Sequence, residues 1–326
     1  MRYFYVWMLS VSVLLTVLPS TGWGQTVADL PIVLDTGSGK IDGSLRMPES
    51  ASKGKVPVVL LIAGSGPTDR DGNSAGGKGS NNLKMLAGSL AQAGYASVRF
   101  DKRGIAASRA ALTTESDIRF DSYVNDAADW LRMLKADPRF SDVGIAGHSE
   151  GSLIAILAAQ KLAVKVVISI AGPAQNAADL LRQQLAGKLP PELAEKNEEL
   201  LSSLQAGKTY AEVAPELLSL YRPSVQPYLI SWFHYLPSQE IAKLSVPVLI
   251  LQGDKDIQVS AAQAEALKKA RPDAVLAIIP GMNHVLKIVG DDQAKQMASY
   301  RDPELPLAPA LTDVLNTFLS QTMPLH

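Results

Sequence analysis

The chain has 326 residues, 47% of them hydrophobic and 19% charged, with a formal net charge of -1. That is globular composition, long enough for one large α/β domain with an insertion, and the absence of a basic block argues against nucleic acid or an anionic membrane surface as a partner. No cysteine is present, which excludes disulfides, a thiol nucleophile, a cysteine-anchored lipoprotein and a cysteine-ligated zinc site.

The chain opens with MRYFYVWMLSVSVLLTVLPSTGWGQ: an early Arg2, an apolar run from Phe4 to Leu18, then Pro19 and small residues. This reads as a secretory signal peptide over 1–24, cleaved after Gly24, ahead of a domain over 25–326 that is periplasmic or secreted, with an uncleaved N-terminal anchor as the other reading. The apolar run is shorter than the ~20 residues a membrane span needs, so no stable membrane insertion is expected after cleavage.

Two short alternating stretches follow, PIVLD and IDGSLRM, separated by the turn signal TGSGK; they predict an antiparallel hairpin. VPVVLLIAGSG is a near-continuous β-branched run, as in a strand buried on both faces. A long loop runs from Gly64 to about Ser80, and NNLKMLAGSLAQAGY predicts a helix with Asn at its start and Gly94 at its end. ASVRFDKRG predicts a buried strand and a polar turn. SYVNDAADWLRMLKADP carries Val124, Ala127, Ala128, Leu131 and Leu134 at helical spacing. DVGIAG is then a strand, EGSLIAILAAQKL a helix, and VKVVISIAG and VPVLILQGD two further buried strands. Between these last two lies an insertion from about Pro173 to Leu244, with amphipathic helical stretches at ADLLRQQLAG and PELAEKNEELLSSL. SAAQAEALKKA (helix), AVLAIIPG (strand) and ALTDVLNTFLSQ (helix) close the chain. The alternation predicts an α/β fold: a mostly parallel sheet, an antiparallel N-terminal edge hairpin, helices on both faces and a helical cap insertion at about 173–244.

In such sheets ligands bind beyond the carboxyl ends of the strands. There the chain offers G-x-S-x-G twice, as Gly147-Ser149-Gly151 and as Gly72-Ser74-Gly76. The pattern arises by chance in about one chain of this length in ten, so context must choose. Ser149 stands between a predicted strand and a predicted helix, the context of a nucleophile elbow, whereas Ser74 lies inside the glycine-rich loop. That loop also nearly matches a phosphate-binding loop at Gly72, Gly77 and Lys78, but Gly79 stands where a Ser or Thr should be, which argues against nucleotide.

A serine nucleophile needs a base. Of the four histidines, His148 is in the elbow, His234 in the insertion and His326 at the terminus, leaving His284, which follows the last strand. Its carboxylate partner is Asp256, two residues further along the loop than the alternate, Asp254. The backbone N–H of Glu150 and that of Ser65, or alternatively Gly66, supply oxyanion donors. No metal or organic cofactor is called for.

The segments AGSGPTDRDGN, GYASVRFDKRGIAAS, GHSEGSLIA, VPVLILQGDKDIQV and PGMNH together resemble a bacterial α/β-hydrolase serine esterase of the prolyl-oligopeptidase-like branch. The resemblance implies Ser149 as nucleophile, Asp256 as orienting acid, His284 as base, and Asp101 and Arg103 as loop supports. GIAAS replaces the usual glycine-rich continuation after DKRG. The resemblance also implies a lid at the insertion, where Tyr228, Trp232 and Phe233 either line a substrate pocket or pack the lid onto the main domain, the commoner fate of aromatics. Asp69, Arg70 and Asp71, beside the oxyanion loop, are expected to pair among themselves, with binding of a polar substrate end as the other reading. The expected function is a carboxylesterase acting on a small-molecule ester. A peptidase or amidase with the same triad is the first alternative, and a non-catalytic exported binding protein the second.

Overall fold

A computed structural model describes residues 28–74 and 79–325, so the predicted signal segment lies outside the described residues. The strands are β1 (Leu30–Asp35), β2 (Lys40–Arg46), β3 (Val56–Ile62), β4 (Ala96–Phe100), β5 (Phe140–His148), β6 (Val167–Ile170), β7 (Val248–Gly253) and β8 (Val275–Ile279). They form one sheet in the order β1-β2-β4-β3-β5-β6-β7-β8. The β1–β2 and β2–β4 pairs are antiparallel and every later pair is parallel. The edge hairpin and the parallel body match the sequence expectation.

The helices of the main domain are α1 (Asn82–Gln92), α2 (Phe120–Ala136) and α3 (Glu150–Lys161). The insertion between β6 and β7 adds α4 (Ala177–Leu185), α5 (Pro191–Gln205), α6 (Leu218–Tyr221), α7 (Gln226–Trp232) and α8 (Pro237–Ala242). After β7 come α9 (Ala261–Ala270), α10 (Gln293–Ser299) and α11 (Pro309–Thr322).

Every residue of β3 is buried, because a central strand of a parallel sheet has helices on both sides. Its alternation divides the core. Val58, Leu60 and Ile62 pack with residues of α2 and α3, whereas Val59 and Leu61 pack with Leu86 and Leu90 of α1 and Leu315 and Leu319 of α11. At ~25 cal/mol per Å² of apolar surface, these two layers are the main source of stability in a chain without disulfides.

The insertion carries three short helices, α6 to α8, that its sequence pattern did not announce. Segments of four to seven residues show too little periodicity to detect and are helical only because they are packed. Leu229, Phe233 and Ile241 supply that packing, joining the core that holds α2 and α3.

Candidate active site

Strand β5 ends at His148 and α3 begins at Glu150, so Ser149 alone makes the turn between them. Its backbone sits at φ +55° and ψ -121°, a conformation that costs a residue with a side chain about 1–3 kcal/mol. Two hydrogen bonds help hold it, from the Ser149 N–H to the Ile170 carbonyl (2.8 Å) and from the Ser152 N–H to the Ser149 carbonyl (3.0 Å). The flanking glycines are steric requirements. A Cβ on Gly147 would collide with the Gly151 carbonyl, and one on Gly151 would lie 2.5 Å from the Ile62 carbonyl. Gly64 brings the loop after β3 against the elbow, since a Cβ there would be 3.3 Å from Ser149 Cβ.

His284 and Asp256 meet beside this turn. His284 Nδ1 donates to Asp256 Oδ2 across 2.7 Å, which leaves Nε2 free to accept a proton. The other carboxylate oxygen accepts from the Gln258 and Val259 N–H groups, at 2.8 and 2.9 Å. Burial by itself raises the Asp256 carboxyl. The His284 charge and hydrogen bond, with the Val259 and Gln258 N–H groups, outweigh it and hold the carboxyl below its ordinary value. Asp254, the alternate, turns elsewhere and accepts from the Gly281 N–H at 2.6 Å. Ser149 Oγ makes no hydrogen bond to a side chain among the described residues; such serine-to-base bonds are often long until substrate binds.

His148 is buried and its ring centroid lies 4.8 Å from that of His284. Its Nε2 donates to the His284 carbonyl at 2.8 Å. Burial, then the nearby His284 charge, hold the imidazole down to about 3, so it stays neutral and supports the His284 loop. Sequence reasoning set His148 aside as a base without seeing this contact. It also missed Gln252, a fully buried residue of β7 whose amide donates to Asp256 Oδ2 (3.0 Å) and to the Val259 carbonyl (2.9 Å). A glutamine within an apolar run was the available signal.

The Ser65, Gly66 and Glu150 N–H groups donate to no other group among the described residues. The carbonyls of the oxyanion loop are occupied. That of Gly64 accepts from Lys102 Nζ at 2.6 Å and that of Ser65 from the Thr68 hydroxyl at 2.8 Å. The peptides are therefore turned with their donors free.

A cavity of about 810 Å³ opens on Ser149, His284 and Ser65. Its walls mix apolar surface with hydroxyl, amide and charged groups, among them Thr68, Ser80, Asn82, Gln258, Tyr300 and Arg301. Ser74 lines this cavity too, paired with Thr68 across an antiparallel bridge rather than at the mouth of a helix. The 173–244 insertion contributes none of the lining residues here. It walls a second cavity of about 320 Å³ on the far side of the oxyanion loop, formed by Gly66, Pro67, Tyr123, Arg222, Val225 and Tyr228 among others.

The three aromatic candidates separate accordingly. Tyr228 faces the second cavity, where burial, then the Glu150 carboxylate, push its hydroxyl well above the ordinary value. Trp232 stacks on Phe120, with centroids 5.7 Å apart, and Phe233 is buried in the core. Neither lines either cavity; Trp232 lies against Phe120 of α2, and Phe233 packs in the core. The charged cluster also differs from expectation. Arg70 pairs with Asp101 (2.7 Å) and Asp71 with Arg99 (3.0 Å), while Asp69 accepts from the Asp71 and Asn73 N–H groups. These residues anchor the loop to β4 because the parallel β3–β4 pairing brings the end of β4 underneath it. Asp101 and Arg103 support loops as the resemblance implied, Arg103 through Asp126 at 2.6 Å.

Sheet order, elbow and loop positions define the class: the protein is an α/β hydrolase. Residues 76–288 match the family model described as serine aminopeptidase, S33, and the chain belongs to that family. A curated relative, Esterase EstD of Thermotoga maritima, is 27% identical over 252 residues, covering 76% of this chain. The chain spans 58% of that relative's length. Among solved structures, Est1E of Butyrivibrio proteoclasticus with ferulic acid bound aligns with a TM-score of 0.60 at 20% identity, covering 90% of this chain and 99% of that one. The acylaminoacyl peptidase of Pyrococcus horikoshii aligns with a TM-score of 0.54 at 16% identity, covering 91% of this chain and 42% of that one. These structural likenesses establish the fold.

Proposed function

We propose that the protein is a serine carboxylesterase that works through an acyl-serine intermediate. One observation carries this reading: Ser149 on its strained turn shares a cavity with a histidine whose Nδ1 is held by a buried carboxylate at 2.7 Å. Ser149 Oγ attacks the ester carbonyl and His284 Nε2 takes its proton, while Asp256 stabilises the imidazolium. The oxyanion is received by the Ser65 and Glu150 N–H groups. His284 returns the proton to the leaving alcohol, and water, activated by the same histidine, releases the acid.

The name of the curated relative, an esterase, supports an ester over an amide as the substrate here. The family description favours a second reading, in which the same groups cleave an amide or peptide bond. The hydroxyl, amide and charged groups distributed over the walls of the larger cavity suit a small ester with a polar group better than a long acyl chain. The helices of 173–244 serve as a cap over the second cavity, and the N-terminal segment directs export to the periplasm or medium.

The test is a panel of short p-nitrophenyl esters beside aminoacyl anilides, with fluorophosphonate labelling of Ser149. Wild-type ester turnover and labelling, both lost in Ser149→Ala and both retained in Ser74→Ala, are expected. Anilide cleavage without ester turnover would decide for the peptidase reading, and an unlabelled wild type would leave a non-catalytic binding protein. Export is checked by N-terminal sequencing of the protein recovered from the periplasm or medium, which should begin near Gln25.

A further inference from the structure

Lys102 and Glu150 form an ion pair with both side chains 1% exposed, Nζ lying 3.1 Å from Oε1. Lys102 follows β4, the parallel neighbour of β3, and Glu150 opens α3, so the pair spans two chain segments beneath the elbow. The same ammonium donates to the Gly64 carbonyl at 2.6 Å and lies 5.0 Å from the centre of the Tyr123 ring. As a stabilising device the pair is poor. Two charges are taken out of water, and Lys102 is the only charged partner of the Glu150 carboxylate among the described residues, its other neighbour being the Tyr228 hydroxyl. An apolar pair of equal volume would fill the space at no greater cost.

The pair has another consequence. The Gly64 carbonyl and the Ser65 N–H belong to one planar peptide group, so holding the oxygen fixes the direction of the N–H. A cation on the oxygen also polarises that peptide and makes its N–H a stronger donor. The other candidate donor is the backbone N–H of Glu150 itself, whose side chain grips the same ammonium. One buried lysine is thereby tied to both halves of the oxyanion site.

We propose that Lys102 is a positioning residue for catalysis. Through the Gly64 carbonyl and the Glu150 carboxylate, it sets the spacing of the Ser65 and Glu150 N–H donors and strengthens the first. The inference rests on the esterase reading above. Lys102 is 1% exposed and reaches the larger cavity only through the Gly64 carbonyl and the Glu150 carboxylate, although it borders the second cavity; its removal is therefore expected to weaken binding of the tetrahedral state more than binding of the ground state.

The experiment compares wild type, Lys102→Met and Lys102→Met/Glu150→Met, the last replacing both charges with apolar side chains of similar volume. Melting temperature and circular dichroism establish folding. Turnover of a short p-nitrophenyl ester gives kcat and KM. Affinity for an alkyl trifluoromethyl ketone, which adds to Ser149 as a tetrahedral hemiketal, reports the oxyanion site directly. The double variant is expected to melt near wild type, with kcat down about 10- to 100-fold and KM within about twofold. Ketone affinity should fall by the same factor as kcat/KM. Lys102→Met alone leaves an unpaired buried carboxylate, so it is expected to melt lower; the double variant carries the test where the single one does not fold. A folded double variant with wild-type kcat and ketone affinity overturns the proposal. Absence of wild-type ester turnover would instead count against the esterase reading, and ketone affinity remains measurable in that case.

Discussion

Two aspartates stand two residues apart after β7, and only one faces the histidine. Asp256 bonds His284 Nδ1, whereas Asp254 closes the turn to Gly281. Asp256→Asn keeps the shape but offers the imidazole an amide that can stabilise the wrong tautomer. It should lower kcat by about 10³ to 10⁴-fold with little change in melting temperature, while Asp254→Asn should stay within a few-fold. Steady-state kinetics on one ester separates the two. His148 gives a pH prediction. It is held down to about 3 when folded, against an ordinary value of 6.5. The unfolded chain therefore binds a proton that the folded chain refuses, and this destabilises the fold progressively as pH drops below 6.5 toward 3. The Asp256 contribution, from a depressed carboxyl, is lost only at lower pH, below the ordinary carboxylate value of 3.8. In His148→Gln the amide nitrogen can replace the donor to the His284 carbonyl but has no such titration. Urea midpoints at pH 7 and pH 4.5 should differ by less in the variant than in the wild type; equal differences would mean that His148 is not the group that titrates.

At the scale of elements, the elbow is where β3, β5 and α3 crowd together. Gly151 lies on α3 directly against the Ile62 and Ala63 carbonyls of the neighbouring strand end, 2.5 and 2.7 Å from the place a Cβ would take. Backbone on both sides leaves no flexible atom to yield. Gly151→Ala should therefore cost about 1–3 kcal/mol or more and lower the melting temperature by several degrees. Ser74, the serine of the other motif, sits in a loop bridge to Thr68 and not at the end of a named strand. The elements themselves were largely readable from pattern: apolar runs gave the parallel strands, and helical spacing gave α2. The short helices α6, α7, α8 and α10 were not, since each is stabilised by neighbours distant in sequence.

At the scale of the molecule, the site lies where the ends of β3, β5 and β7 and the segment after β8 converge. The larger cavity there is walled by the loop after β3, by Gln258 and by Tyr300 and Arg301, and not by the insertion. Hydroxyl, amide and charged groups interrupt the apolar surface that a long acyl chain would need to bury. Catalytic efficiency across a p-nitrophenyl ester series should thus peak at short acyl chains and fall beyond about six to eight carbons. A rising profile out to long chains would mean that the insertion opens an apolar channel absent from this arrangement.

Local pattern carried the strand and helix order, and with it the elbow at Ser149 and the position of His284 after the last strand. Those follow from hydrophobic periodicity and from glycines at a tight turn, both of which are properties of neighbouring residues. Which aspartate pairs with the histidine, where Asp69, Arg70 and Asp71 find partners, and which aromatics reach a cavity were decided by tertiary structure. So was the buried contact of Lys102 with Gly64 and Glu150. Each of these depends on groups tens of residues apart meeting at a few ångströms, and parallel strand pairing, which sets that meeting, leaves no signature in any single stretch of the chain.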